Sequence, residues 1–420
     1  MKALGGRYMK MRISILLLIV VTLVAGCQQA EIIDNPSITS KEWNLFLESA
    51  AGTNVTLYYT TSDENIETWL TRSVVPGVLT NHNINLELIR KPMSEVIEKL
   101  RSQKINEIPT GSIDLIYIDD DSFKDMKTSE LLYGPFLEKI PNYYANINPE
   151  DYEFIYEQGV KTDGHYVPVS RDQLMFIYDE DMILEPPSTM DTFVETLRTA
   201  PGQFSFPLPP EKSGVLFMET FIAAYVDYEV LYETVPTRAA IEPLIKPAMD
   251  ALAKLKPKLW KEGAVFPSDE DQLDQLFYEG KVSFSLSTDT NKASRLAKAE
   301  LYPYAARAFV FDDGTAGTND GVVIAHSAPN KSGAMIVANY MISAEAQAYK
   351  YAPSKGGSVP VVDTSRMSAE EAKKIKGVTV KRSDMKQEML NSHRIPPMPN
   401  AVREVIMEIW IEALEYKGEE

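Results

Sequence analysis

Residues 166–178 (YVPVSRDQLMFIY) constrain this chain more than any other stretch. Val167 and Val169 alternate as in a strand, and Leu174, Phe176 and Tyr178 resume the alternation, so both ends read as buried β-structure. Between them stand Ser170, Arg171, Asp172 and Gln173, with no turn glycine among them. One strand inside one core would not carry that much polarity at its centre. The economical reading is a crossing, in which the chain leaves one domain, passes an open polar cleft and enters a second. Element-terminal residues of this kind absorb domain rotation, and clefts between domains are favoured ligand sites. At 420 residues the chain is long enough for two sizeable cores.

The order of elements supports that division. Residues 55–59, 85–90 and 113–118 read as strands, with helices starting near Ser62 and covering 94–103. This βαβαβ order implies a parallel sheet, with ligands beyond the carboxyl ends of its strands. After the crossing, the pattern predicts a helix over 190–199, a strand over 202–207 and a strongly apolar helix over 213–225. Helices over 241–255 and 273–278 follow, then a strand over 282–286. Residues 312–320 read as a turn-rich loop, and 321–325 as a strand returning through the crossing, because helical residues 334–349 follow as if completing the first domain. Val402, Ile406, Ile409, Trp410 and Leu414 line a last amphipathic helix.

The N-terminus has a different character. Lys2, Arg7, Lys10 and Arg12 form a basic segment without acids, and the apolar run 13–24 is broken only by Ser14 and Thr22. That run is short of the roughly 20 apolar residues a spanning helix needs and fits a signal-peptide core. It ends at Leu23-Val24-Ala25-Gly26-Cys27, which resembles the bacterial lipobox. Residues 1–26 are then a lipoprotein leader, Cys27 the lipidation site and 27–41 a tether; ordinary cleavage leaving Cys27 as a free thiol is the alternative. As the sole cysteine, Cys27 has no partner within the chain for a disulfide. The chain's net charge of −18 disfavours nucleic acid and anionic membrane faces as partners.

With these features the chain resembles the extracellular solute-binding proteins of bacterial ATP-binding-cassette (ABC) importers, the family that includes maltose- and iron-binding receptors. Residues 317–331 (GTNDGVVIAHSAPNK) and the helical 334–347 are similar to that family's return segment, and Met398-Pro399-Asn400 precedes a Trp-containing helix as in its C-terminal pattern. The YnjB-like branch is indicated by 111–115 (GSIDL), Pro168 with Gln173-Leu174, 206–210 (FPLPP) before Ser213-Gly214, and 259–263 (LWKEG) with Phe266-Pro267. The resemblance implies an α/β, two-lobed periplasmic-binding-protein-like fold of type II, each lobe a mixed sheet flanked by helices and joined by hinge strands. Lobe 1 is then 42–168 plus 318–354, and lobe 2 is 169–317 plus 355–420. It also implies a monomeric, lipid-anchored receptor on the extracytoplasmic side of the cell membrane, delivering a small solute to an ABC permease and its ATPase. No cofactor, metal or catalytic residue is implied, and no particular solute. At the cleft this chain departs from its relatives. Thr60-Thr61-Ser62-Asp63 replaces a Trp-Gly-Gly-Asp turn, so only Asp63 carries over, and Asp119-Asp120-Asp121-Ser122 is more anionic than an Asn-Gly-Glu-Asn turn.

The candidate ligand residues sit at strand and helix ends. Asp119 and Asp120 follow an apolar strand and could hold an ammonium or guanidinium, or form a solvated turn; Asp121 reads as a helix cap. Arg171 and Asp172 form either a structural latch or a direct ligand contact. Thr61, Ser62 and Asp63, and likewise Ser213 and Gly214, either bind ligand from a helix start or serve as ordinary caps. Thr288, Asp289 and Asn291 end a strand facing the cleft, and Thr318, Asn319 and Asp320 precede the return strand. The four histidines are scattered, without metal-site spacing. No HExxH, GxSxG or P-loop pattern occurs, which favours a receptor over a carboxylate-dependent enzyme. A ligand-sensing partner of a membrane signalling protein would have the same sequence features.

Overall fold

The computed structural model describes residues 39–61, 63–119, 121–355 and 357–414. The leader, Cys27, the tether as far as residue 38, Ser62 and Asp120 lie outside them. Among the described residues no helix is long and apolar enough to cross a membrane.

Strands β1 (Asn54–Tyr59), β2 (Asn85–Arg90) and β3 (Leu115–Ile118) are parallel, with β1 between the other two, as the βαβαβ pattern requires. Between β1 and β2 the helix Glu64–Trp69 runs through a π-helical turn, Leu70–Val74, into Val75–His82, where Asn83 caps it with φ 53°. The helix Met93–Ile105 joins β2 to β3. Short β4 (Leu132–Tyr133) and the hairpin β5 (Tyr156–Glu157) and β6 (Val160–Lys161) lead to β7 (Val167–Gln173), and after Leu174 the chain continues as β8 (Met175–Asp179). A second sheet has β8 at its centre, antiparallel to β9 (Phe284–Ser287) and β10 (Ala306–Phe309). The chain returns on β11 (Thr315–Ala325), antiparallel to β7, β3 and β4, and β12 (Arg394–Ile395) pairs with its start.

Two hydrophobic cores lie at the ends of the β7–β11 ladder. Val167 and Val169 of β7 and Val322, Val323 and Ile324 of β11 enter the first, with Leu57, Trp69 and Ile116. Leu174 and Phe176, with Ala316 from the start of β11, enter the second. That core is strongly aromatic: Phe176 lies 4.5 Å from Phe311 and 5.2 Å from Phe193, and Trp410 of the helix Asn400–Ala413 packs 5.5 Å from Phe221. Residues Val361, Val362, Met367, Ala372 and Ile375, grouped with lobe 2 from sequence, pack into the first core.

Three local expectations give way to tertiary context. Residues 315–320 are strand rather than loop, because Gly317, Thr318 and Asn319 pair with Gln173, Asp172 and Arg171. Two polar stretches that look unlike strands singly satisfy each other's backbone groups when laid side by side. The helix expected over 334–349 is two helices, Lys331–Met341 and Ala344–Tyr351, because Ser343 turns its hydroxyl onto the Ala346 N–H and starts a new one. Residues 202–207 form no strand; Gln203 and Phe204 each offer a carbonyl to a single partner, Ser283 and Trp260.

Candidate functional site

Side chains alternate in direction along β7 and β11, and this sorts the polar centre of the molecule onto two faces. Ser170 and Asp172 oppose Asp320 and Thr318, and Arg171 opposes Asn319. From the first set Asp320 lines a cleft of about 840 Å3 between the cores and Asp172 pairs with Lys212 of its wall, whereas Arg171 and Asn319 turn to Glu153.

On the second face Glu153, 5% exposed in its side chain, is the hub. Its carboxylate accepts from Arg171 at 2.8 Å, from Arg394 of β12 at 2.9 Å and from the Asn319 amide at 3.2 Å. Arg171 also reaches Asp151 at 3.0 Å and stacks 4.8 Å from the Phe154 ring. Arg394 donates to the Thr318 carbonyl and the Asn319 side-chain oxygen as well. Arg171 and Asn319 are thus held in a latch behind the hinge ladder, away from the cleft, and Thr318 is tied to it through its carbonyl.

The cleft itself is lined from four directions. Thr61 and Asp63 come from the turn after β1, and Asp119 from the end of β3. Asp320 of β11 forms the floor. From the second core come Thr288 and Asp289, just beyond β9, and the helix starts at Glu211-Lys212 and Glu270-Asp271. Of the residues singled out from sequence, Thr61, Asp63, Asp119, Thr288, Asp289 and Asp320 line this one cavity. Lys212, Glu270 and Arg295 line it too and were not among those candidates. Lys212 directly precedes Ser213-Gly214 at the start of an apolar helix, and that position was the available signal.

Most of these groups have local partners. Asp172 accepts from Lys212 at 2.5 Å, and Asp289 accepts from Arg295 at 2.9 Å and from the Asn291 N–H at 2.9 Å. Asn291 is buried at the start of the helix Lys292–Lys298. Asp63 caps its helix through the Asn65 N–H at 2.7 Å. Enclosure by protein, and then the charge of Asp172, raise the Asp63 pKa even though its side chain reaches solvent. Burial would pull the Lys212 ammonium down, but Asp172 and then Asp320 outweigh it and hold the lysine charged. Burial raises Glu270 to about 7 against the attraction of Lys292, which lies 2.5 Å away.

Ser213 and Gly214 are fully enclosed and locally accounted for. The Glu211 carboxylate accepts the Ser213 hydroxyl at 2.6 Å and the Gly214 N–H at 3.0 Å, which caps the helix Lys212–Tyr225. A Cβ on Gly214 would stand 2.1 Å from the Pro207 carbonyl oxygen. Gly214→Ala is therefore expected to cost about 1–3 kcal/mol, the usual range for overpacking, read as a lower midpoint in urea. An unchanged midpoint would show that residues 207–208 yield freely.

Two α/β lobes joined by antiparallel strands, with a polar cavity over the joint, define a protein that encloses a small ligand. The chain matches the family model described as bacterial extracellular solute-binding protein over residues 79–378, more than half its length, and belongs to that family. It is 27% identical over 292 residues to protein YnjB of Escherichia coli strain K12, covering 69% of this chain and 74% of that one. Among solved structures it is similar to an ABC transporter protein from Clostridium perfringens (TM-score 0.60, 16% identity, 86% of this chain and 98% of that one). It is also similar to the apo ferric ion-binding protein A of Pasteurella haemolytica (TM-score 0.57, 16% identity, 87% and 99%). The protein is a solute-binding component of ABC transport, extracytoplasmic by family, and such components work with a permease and an ATPase. Family and fold are those of a binding protein rather than an enzyme.

Proposed function

We propose that this chain is a monomeric, lipid-anchored receptor that takes up one small solute between its lobes and presents it to an ABC permease. The leader ends in a lipobox-like segment, and Cys27 carries the lipid in this reading. Thr61, Asp63, Asp119, Thr288, Asp289 and Asp320 are the ligand contacts, joined by Ser62 and Asp120 from the same two turns. Arg171, Asn319 and Glu153 serve as the latch, and Ser213 and Gly214 shape the helix start. The supporting observation is that the cleft draws its walls from both cores and its floor from β11, one of the two strands that join them. Rotation about β7 and β11 then changes the width of the cleft without unpacking either core.

A thermal-melt library of sugars, amino acids, amines, vitamins and ferric ion tests this, paired with small-angle scattering. The cognate solute is expected to stabilise the chain by about 2.7 kcal/mol at a hundredfold excess over its Kd and to reduce the radius of gyration. If no solute of any class does either, the receptor reading falls.

A further inference from the structure

The cleft has an electrostatic bias and one unmet requirement. Eight of its lining residues carry carboxylates, among them Asp63, Asp119, Asp289 and Asp320, against two cations, Lys212 and Arg295. Both cations are already engaged, by Asp172 and Asp289. The unmet requirement is at the floor. Asp320 is 3% exposed; its Oδ2 accepts the Tyr117 hydroxyl at 2.7 Å, while its buried Oδ1 has no hydrogen-bond partner among the described residues. A buried carboxylate oxygen left without a donor is costly, and a ligand in this cleft can supply the donor.

We propose that the solute is an organic cation bearing N–H donors, such as an amine, amidine or guanidine, with its protonated nitrogen on Oδ1 of Asp320. This rests on the receptor reading above and assigns its ligand chemistry. An anion would face the carboxylates. A neutral polyol would leave the excess negative charge uncompensated. A bare metal ion finds no group of three or more His, Cys, Asp or Glu side chains able to hold it among the described residues. A cation without N–H would balance charge but leave Oδ1 without its hydrogen bond.

The proposal carries a pH signature. Burial, and then Asp172, raise the Asp320 pKa to about 7, so a cation and a proton compete for the same carboxylate. Around Asp320 stand Tyr117 and Asp119 from β3, Asp172 from β7, Lys212, the buried Lys350 of the helix Ala344–Tyr351, and Glu157 with Tyr166. Burial lowers the Lys350 ammonium to about 7 and raises Glu157 to about 8 nearby, and raises Glu270 to about 7 on the far wall. The Asp320 contribution is therefore read as the difference between the wild-type and Asp320→Asn profiles.

The test is calorimetric titration of the full chain with 1,4-diaminobutane, spermidine and agmatine. The controls are 1,4-butanediol, tetramethylammonium and maltose. At least one N–H cation is expected to bind and no control to do so, with affinity severalfold tighter at pH 8 than at pH 6, the direction set by a carboxyl that must lose its proton to receive a cation. Asp320→Asn is expected to weaken that ligand at least tenfold at pH 8 and to flatten the profile. Should that variant fail to fold, Asp63→Asn, which keeps a helix-capping oxygen, is expected to weaken it severalfold. A control solute that binds the cleft, or a cation whose affinity neither variant changes, overturns the assignment and leaves the receptor reading standing. Failure of every N–H cation to bind also overturns it, and the solute library then judges the receptor reading separately.

Discussion

Glu153→Ala is expected to destabilise the protein by about 3–5 kcal/mol, the cost of stripping the partner from buried charge. It leaves the guanidiniums of Arg394 and Arg171, 4% and 12% exposed, without their shared carboxylate. The same carboxylate makes acid sensitivity specific. Burial would raise its pKa, but Arg394 and Arg171 overcome that and bring it from the usual 4.5 to about 2. In this window the unfolded chain binds the proton and the folded chain does not. The contribution is therefore complete above pH 4.5 and is lost as the pH falls towards 2. Wild type should lose stability across that window more steeply than Glu153→Ala, measured by denaturant titration at pH 7, 4.5 and 3. Parallel losses in the two proteins would mean that Glu153 is not the ionised hub. The latch joins β7, β11 and β12, so its loss should also loosen the hinge and weaken solute binding without touching the cleft.

Phe176→Ala is expected to cost a similar 3–5 kcal/mol, because it empties the centre of an aromatic cluster that has little freedom to collapse. Phe311, Phe193 and Phe309 all lie within 5.5 Å of its ring centroid. The two cores are packed separately, so the damage should be local. Amide exchange should accelerate in β9 and in the helix Met190–Thr199, while β1 to β3 keep their protection. Equal acceleration in both cores would show that they open as one cooperative unit.

The strongest signals in the chain were those of local periodicity. β2 runs over 85–90 and the helix Met190–Thr199 over 190–199, as the alternation and the 3.6-residue spacing predict. The turn after β1 and the end of β3 were also legible as cleft positions, because parallel strands place their carboxyl ends on one side. Lys212 and Glu270 were not legible in the same way. A charged residue at a helix start looks the same whether it meets solvent or a cavity wall.

The polar ladder marks the division between sequence and tertiary structure. Sequence by itself determined that the chain crosses at 170–173, that strongly apolar segments lie on both sides, and that the chain has a family resemblance. It also contained, unused, the alternation that separates Arg171 from Asp172. Only the tertiary structure decided that 315–320 is a strand, that Arg171 pairs backwards with Glu153 and that Asp172 pairs forwards with Lys212. The physical reason is distance along the chain. Arg394 reaches the Glu153 carboxylate across 241 residues and the Asp172 carbonyl across 222. No local pattern encodes a partner that far away; burial does, because a charge withdrawn from water persists only where its counter-charge is withdrawn with it.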